Sequence, residues 1–510
     1  MTAASENNKR IAKNTLLLYI RMLFTMAISL YTSRVVLNTL GVNDYGIYNV
    51  VGGIVTMFTF MNSAMASATQ RYLTFELGKN NFIQLHKVFC TSIHIHALIA
   101  FIILILAETI GLWFLYTHMT IPTERMEAAL WVYQFAVLSC IIMLLSVPYN
   151  ATIIAHEKMS AFAYISVLEV IMKLLIVYIL VLFEFDKLKL YAVLMFCVQI
   201  LSRIIYGQYC SKNFSETKYQ KIWDKKLFKE MTSFAGWSLF GNLAAVAFSQ
   251  GLNILLNMFF NPAVNAARGI AVQVQAAIQS FCGNFQTALN PQITKTYASQ
   301  DVKQMHTLIF ASSKYSFFLL LLISLPVLIE TKPILTVWLK QVPAHTVNFI
   351  RLMICISMID SIANPLIISA QATGRIKAYQ ATIGSILLLI VPISYIVLKL
   401  GGNPECVFFV HLVVVIIAQI VRVWMIHSMI NLSIIQYLKN VVGNITIVTT
   451  LSVILPIIIY IVVPPSSSRF LLVCILSVFS VVMTVYFIGL GKKERNFISY
   501  RLKTIVHSNR

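Results

Sequence analysis

Charged residues are scarce. They make up 11% of the 510 residues, against about 25% in ordinary globular chains, so no stretch could coat a soluble domain of any size. The eight cysteines (Cys90, Cys140, Cys197, Cys210, Cys282, Cys355, Cys406 and Cys474) occur singly, which excludes a CxxC metal site and gives no disulfide framework. His94 and His96 point to different faces of a helix and no carboxylate accompanies them, so a metal centre is not expected there. The sequence also lacks paired acidic residues and any large loop; Asp44, Glu124 and Asp186 are isolated, which argues against a glycosyltransferase or polymerase. No small-residue cleavage site follows the basic segment 1–13, so the first apolar run is expected to stay as an uncleaved helix in a mature chain starting near Met1.

What is present is apolar length. Hydrophobic residues reach 58% and mean hydropathy is +0.80. Runs of about 20 residues or more, enough to cross a ~30 Å hydrocarbon core, occur near 11–34, 46–68, 88–116, 127–154, 161–184, 188–210, 232–260, 269–291, 306–330, 346–370, 378–400, 405–428, 440–463 and 468–491. The expected fold class is an all-α polytopic membrane protein of about fourteen transmembrane helices. The net charge of +21 does not signal nucleic acid, because the basic residues sit between the apolar runs and not on a globular face. With a cytoplasmic N-terminus, about 24 Lys and Arg fall inside and about 9 outside, which sets both termini in the cytoplasm. The linker lysines Lys212, Lys218, Lys221, Lys225, Lys226 and Lys229 and the tail residues Lys492, Lys493, Arg495, Arg501 and Lys503 then face anionic membrane lipid.

The chain repeats itself. The segment from Pro148 to Phe162 aligns without gaps on Pro365 to Tyr379, pairing Ala155 with Ala372 and Lys158 with Arg375. A similar offset pairs Leu37-Asn38 with Leu256-Asn257 and Leu85-His86 with Met305-His306. Six helices per copy gives both halves one orientation, related by a pseudo-two-fold axis along the membrane normal. The expected organisation is an N-lobe over 1–210, a basic cytoplasmic linker over 211–231, a C-lobe over 232–430, two further helices over 431–491 and a basic tail over 492–510.

Polar residues recur at helical spacing on four of these helices: Asn14, Arg21, Thr25, Ser29 and Thr32 on the first; Asn49, Gly53, Thr56, Ser63 and Ser67 on the second; Ser238, Asn242, Ser249, Asn253 and Asn257 on the seventh; Gln275, Gln279 and Gln286 on the eighth. Unpaired polar groups cost several kcal/mol in hydrocarbon, so such stripes face other helices or water, and close helix packing or a central cavity would each satisfy them. Arg21 is expected ~15 Å deep, where a guanidinium costs about 2.5–3.5 kcal/mol. Arg34 and Arg268 lie near helix ends, and Lys314, Arg351 and Arg422 lie within or at the ends of later helices; for those at the ends snorkelling suffices. Glu169 and Lys173, four apart, neutralise one another. Asp360 shares a stripe with Ser357 and Asn364 before Pro365 and is the best intramembrane carboxylate for a coupling cation, Na+ or H+; no other cofactor is expected.

The stretch Arg34-Val-Val-Leu-Asn-Thr-Leu-Gly-Val-Asn-Asp-Tyr-Gly-Ile-Tyr-Asn-Val, between the first two helices of a duplicated fourteen-helix chain, resembles the first loop of Wzx-type oligosaccharide flippases of the MATE/oligosaccharide flippase/lipid II flippase (MOP) superfamily. The resemblance covers nearly the whole chain. It implies alternating-access export of undecaprenyl-diphosphate-linked oligosaccharide for surface polysaccharide biosynthesis at the bacterial inner membrane, with other polysaccharide assembly proteins as partners. It further implies a cavity in which Arg21, Arg34 and Arg268 meet the diphosphate and Thr25, Asn242, Asn253, Gln275 and Gln279 meet polar cargo. A lipid II flippase or a cation-coupled MATE-type drug exporter is the alternative reading. The charge bias makes a topological prediction: a reporter fused after Lys226 reads as cytoplasmic and one fused after Pro122 as external, and the reverse pair of results contradicts the orientation.

Overall fold

The computed structural model describes residues 3–56, 59–119, 121–183, 185–260, 262–339, 342–491 and 494–496. The tail residues Lys492, Lys493, Arg501 and Lys503 lie outside the described residues. Among the described residues twelve helices are long and apolar enough to cross a membrane. These are α1 (Lys13–Gly41), α3 (Phe82–His118), α4 (Thr123–Ala155), α5 (Met159–Leu180), α6 (Lys187–Asn213), α7 (Lys225–Phe259), α9 (Val302–Ile329), α10 (Thr346–Thr373), α11 (Lys377–Lys399), α12 (Cys406–Ile430), α13 (Ile434–Val462) and α14 (Ser467–Gly489). Two more polar helices complete about fourteen: α2, helical over 42–56 and Thr59–Gly78, and α8 (Pro262–Ala298). Both fall short on hydropathy for one reason. Asn62, Ser63, Gln70 and Arg71 interrupt α2, and Asn265, Arg268, Gln273, Gln275 and Gln279 interrupt α8. A left-handed glycine, Gly41 (φ 78°), separates α1 from α2.

Duplication is visible in the backbone. α2 ends with Asn80 at φ 54° and α8 with Gln300 at φ 61°. Around both, the same closing bonds form: Asn81 N–H to Glu76 O and Asp301 N–H to Thr296 O, each 3.1 and 2.9 Å, and Lys79 N–H to Phe75 O and Ser299 N–H to Lys295 O, 3.1 and 2.9 Å. These bonds satisfy the orphan carbonyls of a helix end, which is why a left-handed residue is tolerated there. The turn after α4 likewise places Glu157 at φ 58°, and the turn after α10 places Gly374 at φ 77°, the two positions that the Pro148/Pro365 alignment pairs. In the first copy α4 packs on α3 and α6; in the second α10 packs on α9 and α12.

Contacts divide the chain into two compact units. The first holds residues 1–243, 287–301 and 374–380, so it includes the α8 end and the α10–α11 turn as well as α1 to α6. Its cores are apolar layers, one of which joins Val51, Ala100, Ala107, Val132, Tyr133 and Leu144. Here α3 carries a single π-turn at Ala107–Gly111. The turn widens the helix, and the Tyr133 hydroxyl donates to the Ala107 carbonyl at 2.7 Å; a Cβ at Gly111 would collide with that hydroxyl. At one end of the unit Arg125 holds two carboxylates. Its Nε donates to Asp44 Oδ1 at 3.0 Å, its Nη2 to the other oxygen, and its Nη1 to Asp186 Oδ2 at 2.8 Å. Asp186 also caps α6, accepting from Leu188 and Lys189 N–H. The Asp-Tyr-Gly stretch after α1 is thereby tied to the starts of α4 and α6.

The second unit comprises 244–286, 302–373 and the described residues from 381 onward. In it, α9 and α10 are the most enclosed spans, with 56% of their apolar windows buried, whereas α13 and α14 bury 22% and present Leu471, Ile475 and Ile454 outward. The α13–α14 pair is fastened to α9 at two levels. Glu494 accepts from the Tyr315 hydroxyl and lies 3.9 Å from Lys314 Nζ. Fifteen residues along α9, ~22 Å away, fully buried Glu330 meets Arg469 Nε at 3.3 Å. Two buried hydroxyls bond within their own helix: Ser357 and Ser361 donate to Met353 and Met358 carbonyls at 2.9 and 2.7 Å.

Asp186 supplies the test. Burial acts to raise its pKa, but the Arg125 and backbone hydrogen bonds outweigh it and hold the carboxyl below the usual range. A depressed carboxylate contributes stability above its unfolded pKa and loses it as pH falls through the folded value. Asp186→Asn keeps the cap and removes the charge, so it should cost about 1 kcal/mol near neutrality. In thermal melts the gap to wild type should be full above about pH 5 and close toward pH 3; a gap independent of pH would contradict the ion pair.

Candidate functional site

Polar side chains inside the spans gather at three places. In the first unit, Arg21 lies on the α1 face that packs on α5, half-buried, with its guanidinium 4.8 Å from the Phe162 ring centroid. Thr25, one turn on, donates to the Met22 carbonyl at 3.0 Å. Asn14 Nδ2 meets the Glu157 carbonyl at 3.1 Å, so α1 enters the bundle at the level of the α4–α5 turn. Arg21, seven residues further, is ~10 Å along the helix from that turn. Arg34 is exposed and about 20 Å further along α1. The two arginines therefore occupy different depths. Asn242 donates to Ser63 Oγ at 3.1 Å, joining α7 to α2.

The second place is the α4–α5 turn. The Glu157 side chain is buried, and Lys295 Nζ and Gln292 Nε2, both from the end of α8, donate to its two oxygens at 2.6 and 2.5 Å. The preceding residue, His156, stacks on Phe214 (4.2 Å) and meets Glu216 Oε1 at 2.5 Å. Burial would raise Glu216, but the His156 hydrogen bond outweighs it and keeps the carboxyl below its ordinary pKa. One turn thus grips α8 on one side and the 214–217 segment of the linker on the other. At the paired turn, the Arg71 guanidinium, stacked over Tyr72 and Phe75 at 4.5 Å each, lies where a Cβ on Gly374 would come to 2.9 Å.

The third place is a cavity of about 400 Å3 inside the second unit. Asp360, Gln279, Gln286, Asn364, His411 and Arg422 line it. The Ser357–Asp360–Asn364 stripe does face one space, and Gln279 shares it, donating to Ser357 Oγ at 3.1 Å. Gln286 bonds Ser316 Oγ at 3.0 Å and the Ser361 carbonyl at 2.9 Å. Asp360 lies within electrostatic reach of Arg422, whose Nη1 donates to Gln419 Oε1 at 2.6 Å. Arg422 is buried and not snorkelling. His411 escaped the sequence reading, although His411, Gln419 and Arg422 are spaced to share one face of α12. Arg268 does not line the cavity; its Nη2 donates to the Ser249 carbonyl at 2.7 Å and so ties α8 to α7. Asn253 and Gln275 are half-buried elsewhere. The first unit holds its own cavity of about 390 Å3 between α2, α4 and α6, near Tyr48, Asn49, Phe135 and Gln199. Among the described residues no group of three His, Cys, Asp or Glu is placed to hold a metal ion.

The architecture is that of a multi-pass membrane protein. Solved structures of similar fold include a MATE in complex with MaD3S (TM-score 0.69, 14% identity, covering 83% of this chain and 96% of that one). Others are the Vibrio cholerae MATE transporter VcmN in its bent form (0.70, 15%, 86% and 100%) and an outward-facing multidrug resistance MATE family transporter of the MOP superfamily (0.70, 13%, 83% and 96%). No curated protein matches the sequence. The chain belongs to the polysaccharide biosynthesis protein family, whose sequence profile matches residues 11–297; family and fold are those of transporters and flippases.

Removing one partner of a buried pair leaves an uncompensated charge and costs about 3–5 kcal/mol. Lys295→Met should lower stability on that scale, and adding Glu157→Gln should recover most of the loss. A double variant no better than the single would contradict the pairing.

Proposed function

We propose that the protein flips an undecaprenyl-diphosphate-linked oligosaccharide outward across the bacterial inner membrane by alternating access, without covalent chemistry and with both termini in the cytoplasm. The observation that carries this reading is the family match over residues 11–297 on a transporter fold. The physics suits the cargo. A diphosphate and its sugars cannot enter hydrocarbon, so fixed positive charge and amide or hydroxyl partners must line the path while the lipid tail stays in the bilayer. On this reading Arg21 meets the diphosphate first, with Thr25 one turn beyond, and Arg34 and Arg268 act further along. A MATE-type exporter of cationic drugs calls for an acidic path. The carboxylates of α2 that the structure describes serve its ends: Asp44 holds Arg125, and Glu76 lies in the last turn before Gly78.

Alternating access also requires contacts that close one side and then part. The Glu157–Lys295–Gln292 cluster, at the end that the charge bias assigns to the cytoplasm, serves as that closure. Asp360, in the polar cavity of the second unit, binds the coupling Na+ or H+, with Arg422 as its resident counter-charge; Asp360→Asn should therefore change the ion dependence of transport.

Arg21 tests the reading. Arg21→Ala should abolish export of lipid-linked glycan at normal protein abundance, and Arg21→Lys should restore it partly, since a point charge replaces a bidentate fork. Normal export by an abundant Arg21→Ala protein would refute the diphosphate role.

A further inference from the structure

We propose that the cavity of the first unit is a subsite for uncharged sugar rings of the cargo. The inference rests on the reading that the cargo is a diphosphate-linked glycan and assigns one part of that glycan to a place. At about 390 Å3 the cavity falls within the range of small-molecule pockets, roughly 300–1,000 Å3. Its lining contains no charged side chain. A diphosphate there would have no counter-charge and a cationic drug no carboxylate, each at the cost of burying an unpaired charge.

The lining is not purely apolar either. Gln199 is half-buried and its side chain makes no hydrogen bond among the described residues. Asn49 spends one N–H on the Tyr45 carbonyl at 2.8 Å, which leaves its amide oxygen as an acceptor. Ser139 donates to the Phe135 carbonyl at 2.7 Å and keeps its lone pairs. A prenyl or acyl chain in this space would leave those amides unsatisfied in hydrocarbon. Neutral hydroxyls, which both donate and accept, satisfy them. Two rings border the same space and are already fixed: Tyr48 packs edge-on to Tyr191 at 4.8 Å, and Phe135 is held between Trp131 and Phe196 at 5.7 and 5.4 Å. Aromatic faces against the C–H face of a pyranose, with amides at its rim, make a sugar site.

Gly52 points the same way. It lies inside a helix, where glycine costs stability relative to alanine, yet its φ is ordinary and a Cβ there would meet nothing within 4 Å. Packing and backbone conformation give no reason for glycine, and its lack of a side chain keeps the cavity open.

The test is binding of two probes to the purified full-length protein in nanodiscs: undecaprenyl diphosphate carrying a neutral disaccharide, and undecaprenyl diphosphate without sugar. Wild type should bind the sugar-bearing lipid on the order of tenfold more tightly. Gly52→Leu, which fills the cavity, should bring that affinity down to the sugarless level and leave sugarless binding unchanged. Gln199→Leu, which keeps the backbone and volume, should lose part of the preference. Two results overturn the subsite: an undiminished preference in both variants, or no preference in wild type while both lipids bind. Failure of wild type to bind either probe removes the lipid-carrier reading itself, and the subsite with it.

Discussion

In hydrocarbon no water waits to accept an unused hydrogen bond, and each polar group must find its partner inside the protein. The structure follows from that constraint. It explains why Ser357 and Ser361 donate back to their own helix, why Arg268 is spent on the Ser249 carbonyl and hydroxyl, and why Glu157 draws both Lys295 and Gln292. Helices gain little from hydrophobic association when lipid is as apolar as they are, so packing and these polar ties do the joining. The Gln199 side chain, at the rim of the first unit's cavity, is among the polar groups left with bonding capacity.

The two units divide the chemistry. The cavity of the second unit holds Asp360, His411 and Arg422 and suits charge movement; the cavity of the first is neutral, polar at its rim and ringed by aromatics. A carrier of a glycan on a diphosphate lipid needs both properties. On the proposed reading it stabilises an anion and solvates hydroxyls, and separate pockets would keep the charged groups of one from competing with the neutral groups of the other.

Much of this was legible in the residues. Apolar runs located the helices, including α2 and α8, whose polar insertions lower their hydropathy. The Pro148/Pro365 alignment anticipated the pairing of Glu157 with Gly374, since a left-handed turn is a local feature that local sequence records. The Asp360 stripe faced a cavity because helical spacing alone puts residues 357, 360 and 364 together. Tertiary partnerships were not legible. Arg125 meets Asp44 and Asp186 across 81 and 61 residues, and Lys295 reaches Glu157 across 138; no periodicity encodes such distances. Nor does spacing alone say that Arg422 is buried beside Gln419 or that Arg268 reaches Ser249 on the neighbouring helix.

The central claim is that a diphosphate-linked glycan crosses the membrane on this chain, and direct transport measures it. Purified protein in proteoliposomes, loaded on one leaflet with lipid-linked oligosaccharide, should move the glycan to the opposite leaflet, where an added glycosidase can reach it, at a rate well above protein-free vesicles. The same vesicles should not accumulate a cationic dye under a proton or sodium gradient. Dye transport without glycan translocation would contradict the account and return the protein to the drug-exporter class.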